Sequence, residues 1–402
     1  MRENLLSLGF LATTSALGLA GCALSAESTQ VGATLAGKDA AATSYPTCTA
    51  GMVNTRRLGV ALEIHVENSS LSVGDQTDYV LDIAREAAEA GVKLSFGFGV
   101  DFLDEYDGGV SVATTDHGSV VLADLVTLLE GTFCHEVTLH ADVPDLEYAE
   151  ALAYLQDYTA MVTSAGGTGS VASGVCTESA TDGGWLKAAH DAGIQTIAGV
   201  VEDCQVTLDS TLFPDDARTA DECSPLRCHG AAPEGDPAQR ASGWMAETVT
   251  NWIAPFVPAT VVEWRAATFI IGSFGEANAP CLAEQAAGLN VSTECSDGFR
   301  PADGNASDDY STAAQGAADA AVMLSEIGDV VDSWRSGTRG DAFHTAYSTN
   351  LVTTTDWLDG FFNALATGLA SGTTAGGHAL AGAATFTTLG PIGRVNRQEA
   401  RP

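Results

Sequence analysis

Two neighbouring segments decide the fold: AGVKLSFGFGVDF at residues 90–102 and HEVTLHADVPDLEYAEALAYLQDY at residues 135–158. Each contains a short run rich in apolar, β-branched or aromatic residues, which is typical of a buried strand. The second segment continues into a stretch whose apolar residues recur at helical spacing. Together they predict strands followed by helices, and the rest of the chain extends this order.

The same order continues in both directions from these segments. LGVALEIHVEN, from Leu58 onward, alternates like a strand, and residues 78–91 have the apolar spacing of a helix that stops at a glycine. A second helix is predicted over residues 120–131, and the segments up to Cys204 repeat strand, helix and strand. This rhythm predicts a parallel sheet covered by helices, either closed into an α/β barrel or left open.

The alternation of predicted strands and helices stops over residues 205–255. This segment holds Cys223, Cys228, several prolines and many aspartates, so we interpret it as a disulfide-pinned insertion near the barrel mouth. Strand character returns at residues 259–274, and a long helix, a strand, another helix and a last strand follow. Residues 56–395 are therefore predicted to form one barrel domain.

The amino terminus predicts export and a lipid anchor. An apolar core precedes LAGC at residues 19–22, the pattern of a lipobox, which is cut before Cys22 so that the thiol can be acylated. We expect a signal peptide over residues 1–21 and a flexible tether, rich in Ala, Ser, Thr and Gly, over residues 22–55. The chain would then be a bacterial cell-envelope lipoprotein that faces the periplasm or the exterior. The alternative is a secretory peptide with an ordinary cysteine.

Cysteine count and charge support the same compartment and limit the partners. Eight cysteines remain after Cys22, which predicts disulfides; Cys48, Cys134, Cys176 and Cys204 can pair across the fold, with the pairing left open. The formal net charge of −35 argues against nucleic acid, whose binding requires basic side chains to neutralise phosphates. It argues equally against an electrostatic hold on anionic lipid, so membrane contact is expected through the lipid anchor only.

Polar side chains occupy the carboxyl ends of the predicted strands, where parallel α/β barrels carry their functional groups. Glu63, His65 and Glu67 alternate along the first strand and share a face, as do His140 and Asp142 on the third. His65, Glu67, His140 and Asp142 together form an acceptable donor set for zinc or another divalent ion. The alternative is a hydrogen-bonded polar cluster without an ion.

The segment HEVTLH at residues 135–140 resembles the GHEIGLH motif of the polysaccharide deacetylases, the NodB-homology family of carbohydrate esterases. The order of strands and helices over residues 58–392 is similar to that family in outline. The resemblance implies a distorted seven-stranded (β/α) barrel and a metal-dependent hydrolase, with zinc as the expected metal. His140 matches the family's first ligand histidine, whereas Pro144 stands where the second belongs.

The resemblance and the strand ends suggest further functional residues. His344, in DAFHTAYST, falls where the family has a histidine that acts as general acid. Glu67 is a second candidate catalytic group, and Glu202, at the end of the fifth strand, is a third that can tune His344. Trp244 and Trp264 are candidates for stacking on sugar rings.

Two functions follow from this pattern. The first is a surface-anchored hydrolase that uses a divalent metal to process a glycan, such as a cell-envelope polysaccharide. The second is a non-catalytic barrel that binds a glycan or a partner protein. It is suggested by the absence of both motif aspartates, the second histidine and the motif arginine of the family, since a fold alone does not carry activity.

Overall fold

A computed structural model describes residue 48 and residues 57–67, 71–144, 146–175, 184–198, 243–248, 251–255, 269–271, 311–335, 342–349, 353–372 and 379–399. The strands are β1 (Leu58–Val66), β2 (Leu94–Gly99), β3 (Ser111–Ala113), β4 (Ser119–Val121), β5 (Glu136–His140), β6 (Val171–Ser173), β7 (Thr196–Ala198), β8 (Gly243–Thr248), β9 (Asn251–Pro255), β10 (Phe269–Ile271), β11 (Ala342–Ser348) and β12 (Ala384–Phe386). The helices are α1 (Val73–Glu89), α2 (Val100–Asp104), α3 (Leu122–Thr127), α4 (Tyr148–Ser164), α5 (Gly184–Asp191), α6 (Ala313–Arg335), α7 (Thr355–Ser371) and α8 (Leu389–Glu399). A 3-10 turn lies at Asp107–Gly109, and a π-helical turn at Leu128–Thr132 continues α3.

The sheet is parallel and barrel-like. Seven parallel strands follow the order β11, β1, β2, β5, β6, β7 and β10 and form a nearly closed sheet. β8 and β9 extend it beyond β10 as antiparallel strands, and β12 pairs with the first residues of β1. The predicted parallel sheet with helices is confirmed, in the barrel-like form. β8 and β9 fall within residues 205–255, so part of the predicted insertion belongs to the sheet.

Alternation along the strands separates an apolar layer from a polar interior. Ile64 on β1 and Phe96 on β2 are fully buried in the hydrophobic core that also contains the apolar faces of the helices. The intervening residues of these strands point to the opposite face. On that face Glu63 lies beside Gly97, and both lie close to His140 of β5. The barrel interior therefore carries the polar groups, while the helices supply the apolar burial that stabilises the sheet.

Helix α1 starts earlier than the sequence pattern predicts. The expected start at Asp78 is wrong, because Ser72 caps the helix by accepting a hydrogen bond from the backbone N–H of Asp75. The first turns are covered by the β3–β4 hairpin, so close that a Cβ at Gly74 would lie 2.2 Å from the carbonyl oxygen of Ala113. Contact with the hairpin thus buries the first turns of α1, whose sequence is polar and lacks the apolar spacing of a helix.

Helix α8, which the sequence pattern did not reveal, lies across the amino-terminal end of the barrel. The backbone N–H of Leu389 donates to Ser95 Oγ at 3.1 Å, and that of Gly390 donates to Glu136 Oε2 at 2.9 Å. These bonds satisfy two of the free N–H groups at the helix start. Ile392 is buried at 1 % exposure. The carboxyl end of the barrel is the other end, and the predicted site residues lie there.

A disulfide joins the segment that precedes the barrel to the loop before β5. Cys48 and Cys134 are bonded with their Cα atoms 5.0 Å apart, which confirms that these two residues pair across the fold. The other cysteines, together with the predicted signal peptide and most of the predicted tether, lie outside the described residues. Among the helices that are described, none has the length and apolar character needed to cross a bilayer.

Candidate metal site at the carboxyl end of the barrel

His65, Glu67 and His140 meet at the carboxyl ends of β1 and β5. Each offers one ligand atom, and these atoms all lie within 4.8 Å of one another. The two imidazole rings are stacked, with centroids 3.9 Å apart and planes inclined by 20°. The group can therefore hold a metal ion, and the described residues form one cluster of this kind.

Glycines on β2 allow the two histidines to meet. β2 lies between β1 and β5, with Gly97 opposite His65 and Gly99 opposite His140. Because neither glycine has a side chain, the rings can come together over the strand that separates their backbones. A Cβ at Gly99 would also lie 2.6 Å from the carbonyl oxygen of Val66, so glycine is needed there for close backbone approach.

The chain just past β1 holds Glu67 in place. Its backbone N–H donates to Thr349 Oγ1 at 3.1 Å, and the N–H of Thr349 donates to the carbonyl oxygen of His65 at 2.9 Å. Thr349 directly follows β11, so the pairing of β11 with β1 extends by two bonds beyond the strands. These contacts fix the backbone on both sides of Val66, and with it the directions of the His65 and Glu67 side chains.

Two carboxylates approach the outer nitrogen of His140. Its Nε2 lies 2.9 Å from Glu67 Oε2 and 3.0 Å from Asp142 Oδ1. Burial alone would lower the pKa of this imidazole, but the charges and hydrogen bonds of Asp142 and Glu67 outweigh burial and raise the pKa well above its usual value. The pocket between the carboxylates therefore favours positive charge at this nitrogen, which either a proton or a metal cation supplies.

Asp142 is held in an unusual backbone conformation. Its φ angle is +40°, in the region where aspartate is among the few tolerated residues other than glycine. Gly174, at φ +62°, lies against it, and a Cβ at that glycine would be 2.7 Å from the backbone nitrogen of Asp142. The N–H of Val143 donates to the carbonyl oxygen of Gly174 at 2.9 Å. The loop after β6 thus supports the loop after β5 and directs the Asp142 carboxylate to His140.

Below the three candidate ligands lies a buried polar chain centred on Glu63. Glu63 is 0 % exposed and accepts hydrogen bonds from Ser173 Oγ at 2.7 Å and from His344 Nε2 at 3.1 Å. His140 Nδ1 lies 2.8 Å from the same Ser173 Oγ. Although burial would raise the pKa of Glu63, the charge of His65 and the hydrogen bond from His344 hold that pKa well below its usual value. The hydrogen bonds and the histidines around Glu63 therefore favour the ionised form of this interior carboxyl group.

The structure brings most of the predicted site residues together. His65, His140 and Glu67 form the three-residue group, with Asp142 in contact with His140 but outside that group. His344 is fully buried and bonds to Glu63; its role as general acid stays a prediction. Glu202, Trp264 and Cys22 lie outside the described residues, and Trp244 is on β8 with its side chain undescribed.

Sequence reasoning missed Ser173 and the glycines that shape the site. Ser173 ends β6, the strand next to β5, and strand-end position is the signal that could have found it. The alternation Gly97, Phe98, Gly99 was a second signal, since a strand with two glycines on one face leaves room for its neighbours.

The donor set fits a divalent cation. Two imidazoles and one carboxylate are the protein ligands of one type of catalytic zinc site and also suit iron(II). The Nε2 atom of His65 is buried without a hydrogen-bond partner among the described residues, and it lies 3.4 Å from Glu63 Oε2. Comparison of the chain with family models, with curated proteins and with solved structures finds no match.

Proposed function

We propose that the chain is a metal-dependent hydrolase of the polysaccharide deacetylase type, which removes acyl groups from a glycan at the bacterial cell envelope. The convergence of His65, Glu67 and His140 at the carboxyl end of a barrel-like parallel sheet is the observation that carries the proposal. The resemblance of residues 135–140 to the deacetylase motif suggests the substrate class, and the predicted acylation of Cys22 suggests the location.

His65, His140 and Glu67 would hold the metal, with zinc the first candidate. When bound, such an ion polarises an acyl carbonyl and lowers the pKa of water. The proton transfers would be carried out by side chains of the protein. Asp142 is the carboxylate with the most access to solvent, since its side chain is 53 % exposed against 22 % for Glu67. We assign Asp142 the role of general base: its carboxylate would accept a proton from water as the water oxygen adds to the acyl carbonyl, and would return that proton to the leaving nitrogen or oxygen of the glycan as the acyl bond breaks.

The test is acetate release from a panel of N-acetylated and O-acetylated glycans by the full chain, with and without a chelator. We expect release that the chelator abolishes and that zinc, cobalt or nickel restores. His140→Ala should abolish release, whereas His190→Ala, which removes a half-exposed histidine on α5 that bonds to its neighbour Asp191, should leave it unchanged. Chelator-resistant release, or equal release by His140→Ala, would refute the proposal.

A non-catalytic glycan-binding barrel is the second candidate. It is favoured by the way His140 is enclosed, since its nitrogens face Ser173 on one side and Glu67 and Asp142 on the other. Such a cluster satisfies its own polar groups without an ion. Saturable binding of a glycan from the panel, with no acetate release after addition of zinc, cobalt or nickel, would favour this function.

A further inference from the structure

The interior carboxylate of Glu63 contacts both candidate metal-ligand histidines, one directly and one through a serine. His65 Nε2 lies 3.4 Å from Glu63 Oε2, and Ser173 connects Glu63 Oε1 to His140 Nδ1 by contacts of 2.7 and 2.8 Å. Glu63, Ser173 and His344 are all buried at 1 % exposure or less, so water does not compete for these contacts. None of the three belongs to the candidate ligand group.

The direction of the hydrogen bonds follows from the chemistry of the groups. A carboxylate oxygen accepts, so the single hydroxyl proton of Ser173 goes to Glu63. The oxygen of Ser173 must then accept from His140 Nδ1, which places a proton on that nitrogen. The outer nitrogen, Nε2, is left for the pocket that Glu67 and Asp142 form.

We propose that Glu63 and Ser173 are positioning residues that hold the two histidines in the orientation needed for metal binding. Ser173 fixes which nitrogen of His140 faces the metal pocket, and Glu63 fixes Ser173 while it attracts His65. Residues that hydrogen-bond to metal ligands without touching the metal commonly lower the metal affinity by about 10- to 100-fold when they are removed. This inference rests on the proposed function, because it assumes that the three-residue group binds a metal.

The other end of the barrel offers matched controls. There Ser95 Oγ donates to Glu136 Oε2 at 3.2 Å, and both residues are buried. Ser95→Ala and Glu136→Gln therefore remove the same types of group from the same sheet without touching the candidate site. Ser173→Ala and Glu63→Gln are the test variants, and thermal unfolding checks that each of the four is folded.

The first measurement is calorimetric titration of zinc into the metal-free full chain. We expect Ser173→Ala and Glu63→Gln to weaken zinc binding by about 10- to 100-fold. The controls Ser95→Ala and Glu136→Gln should stay within about threefold of the unchanged chain, since they lie outside the relay of hydrogen bonds formed by Glu63, Ser173 and His140. Tight binding by the unchanged chain that neither test variant weakens would overturn the inference and leave the proposed function standing. If Glu63→Gln does not fold, Ser173→Ala alone decides.

The second measurement does not need a metal. In the metal-free protein, the proton on His140 Nδ1 should give a nitrogen–proton NMR cross-peak that is protected from solvent exchange, and Ser173→Ala should remove that protection. Ser95→Ala should keep it. If the unchanged chain binds none of zinc, iron, cobalt and nickel, the proposed function fails, and the positioning role, which assumes a bound metal, fails with it. Absence of a protected proton on Nδ1 in the unchanged chain would overturn the relay whatever the zinc result.

Discussion

Replacing Gly97 by alanine tests the packing that brings the site together. A Cβ at this position would lie 3.0 Å from Glu63 Oε1, 3.2 Å from His140 Cβ and 3.4 Å from Ser173 Oγ. All three neighbours are buried and bonded to one another, so none can retreat without stretching a hydrogen bond. One methyl group at Gly97 therefore strains the whole relay.

The expected size of the effect follows from two opposing contributions. Overpacking a filled interior costs about 1–3 kcal/mol. Replacing glycine by alanine restricts the unfolded chain, which restores about 0.4–1 kcal/mol of stability. We therefore expect Gly97→Ala to lower the free energy of unfolding by about 1–2 kcal/mol. Displacement of Glu63 and His140 should also weaken zinc binding by about tenfold. This is the lower end of the loss in affinity seen when residues that hydrogen-bond to metal ligands are removed.

Urea unfolding and zinc titration measure the two effects, and Gly131→Ala is the matched control. A Cβ at Gly131 meets nothing within 4 Å, so this variant should gain about 0.4–1 kcal/mol of stability over the unchanged chain and bind zinc normally. If Gly97→Ala is as stable as Gly131→Ala and binds zinc equally well, the argument that Gly97 makes room for the site is wrong.

Three further predictions concern the loop beside the site and two features at the other end of the barrel. Gly174→Ala should lower the free energy of unfolding by at least about 1–2 kcal/mol, because its φ of +62° disfavours a side chain and its Cβ would meet the backbone nitrogen of Asp142; unchanged urea unfolding would contradict this. Burial raises the pKa of Glu130 to about 7, so the folded state binds a proton that the unfolded state releases, and stability should fall between about pH 4.5 and 7. Glu130→Gln should flatten that slope in urea titrations at a series of pH values, and an unaltered slope would exclude this carboxyl as its cause. The double variant Cys48→Ser, Cys134→Ser opens a loop closed across a sequence separation of 86 and should lose about 2–4 kcal/mol in chemical unfolding, whereas a loss below about 1 kcal/mol would mean that the loop adds little.

Sequence reasoning found the strands and the face that carries the site, because both depend on local pattern. Period-two alternation in LGVALEIHVEN placed Glu63, His65 and Glu67 on one side of β1, and the structure confirms β1 over Leu58–Val66. His140 was found by the same reasoning at the end of β5. Parallel pairing through β2 then brings these two strand ends together, as the sequence interpretation assumed.

What sequence reasoning could not supply depends on contacts distant in the chain. The strand-end position of Ser173 does not by itself show a contact with His140, which arises because β6 pairs with β5 and places the hydroxyl 2.8 Å from that ring. The sequence predicts His344 as a candidate acid at a strand end, whereas its pairing opposite Ala61 places it within β11 and below Glu63, fully buried. Register between distant strands, rather than residue type, decides how deep each side chain sits.

The metal content of the full chain, purified without chelators and without a polyhistidine tag, tests the metal site most directly. We expect one equivalent of a divalent metal, zinc first, in the unchanged chain and in His190→Ala. His140→Ala and Glu67→Gln should each lose that equivalent, because each removes one of the three candidate ligands. A stoichiometric metal that survives His140→Ala, or no metal in the unchanged chain after reconstitution with zinc, iron, cobalt or nickel, would show that His65, Glu67 and His140 do not form a metal site.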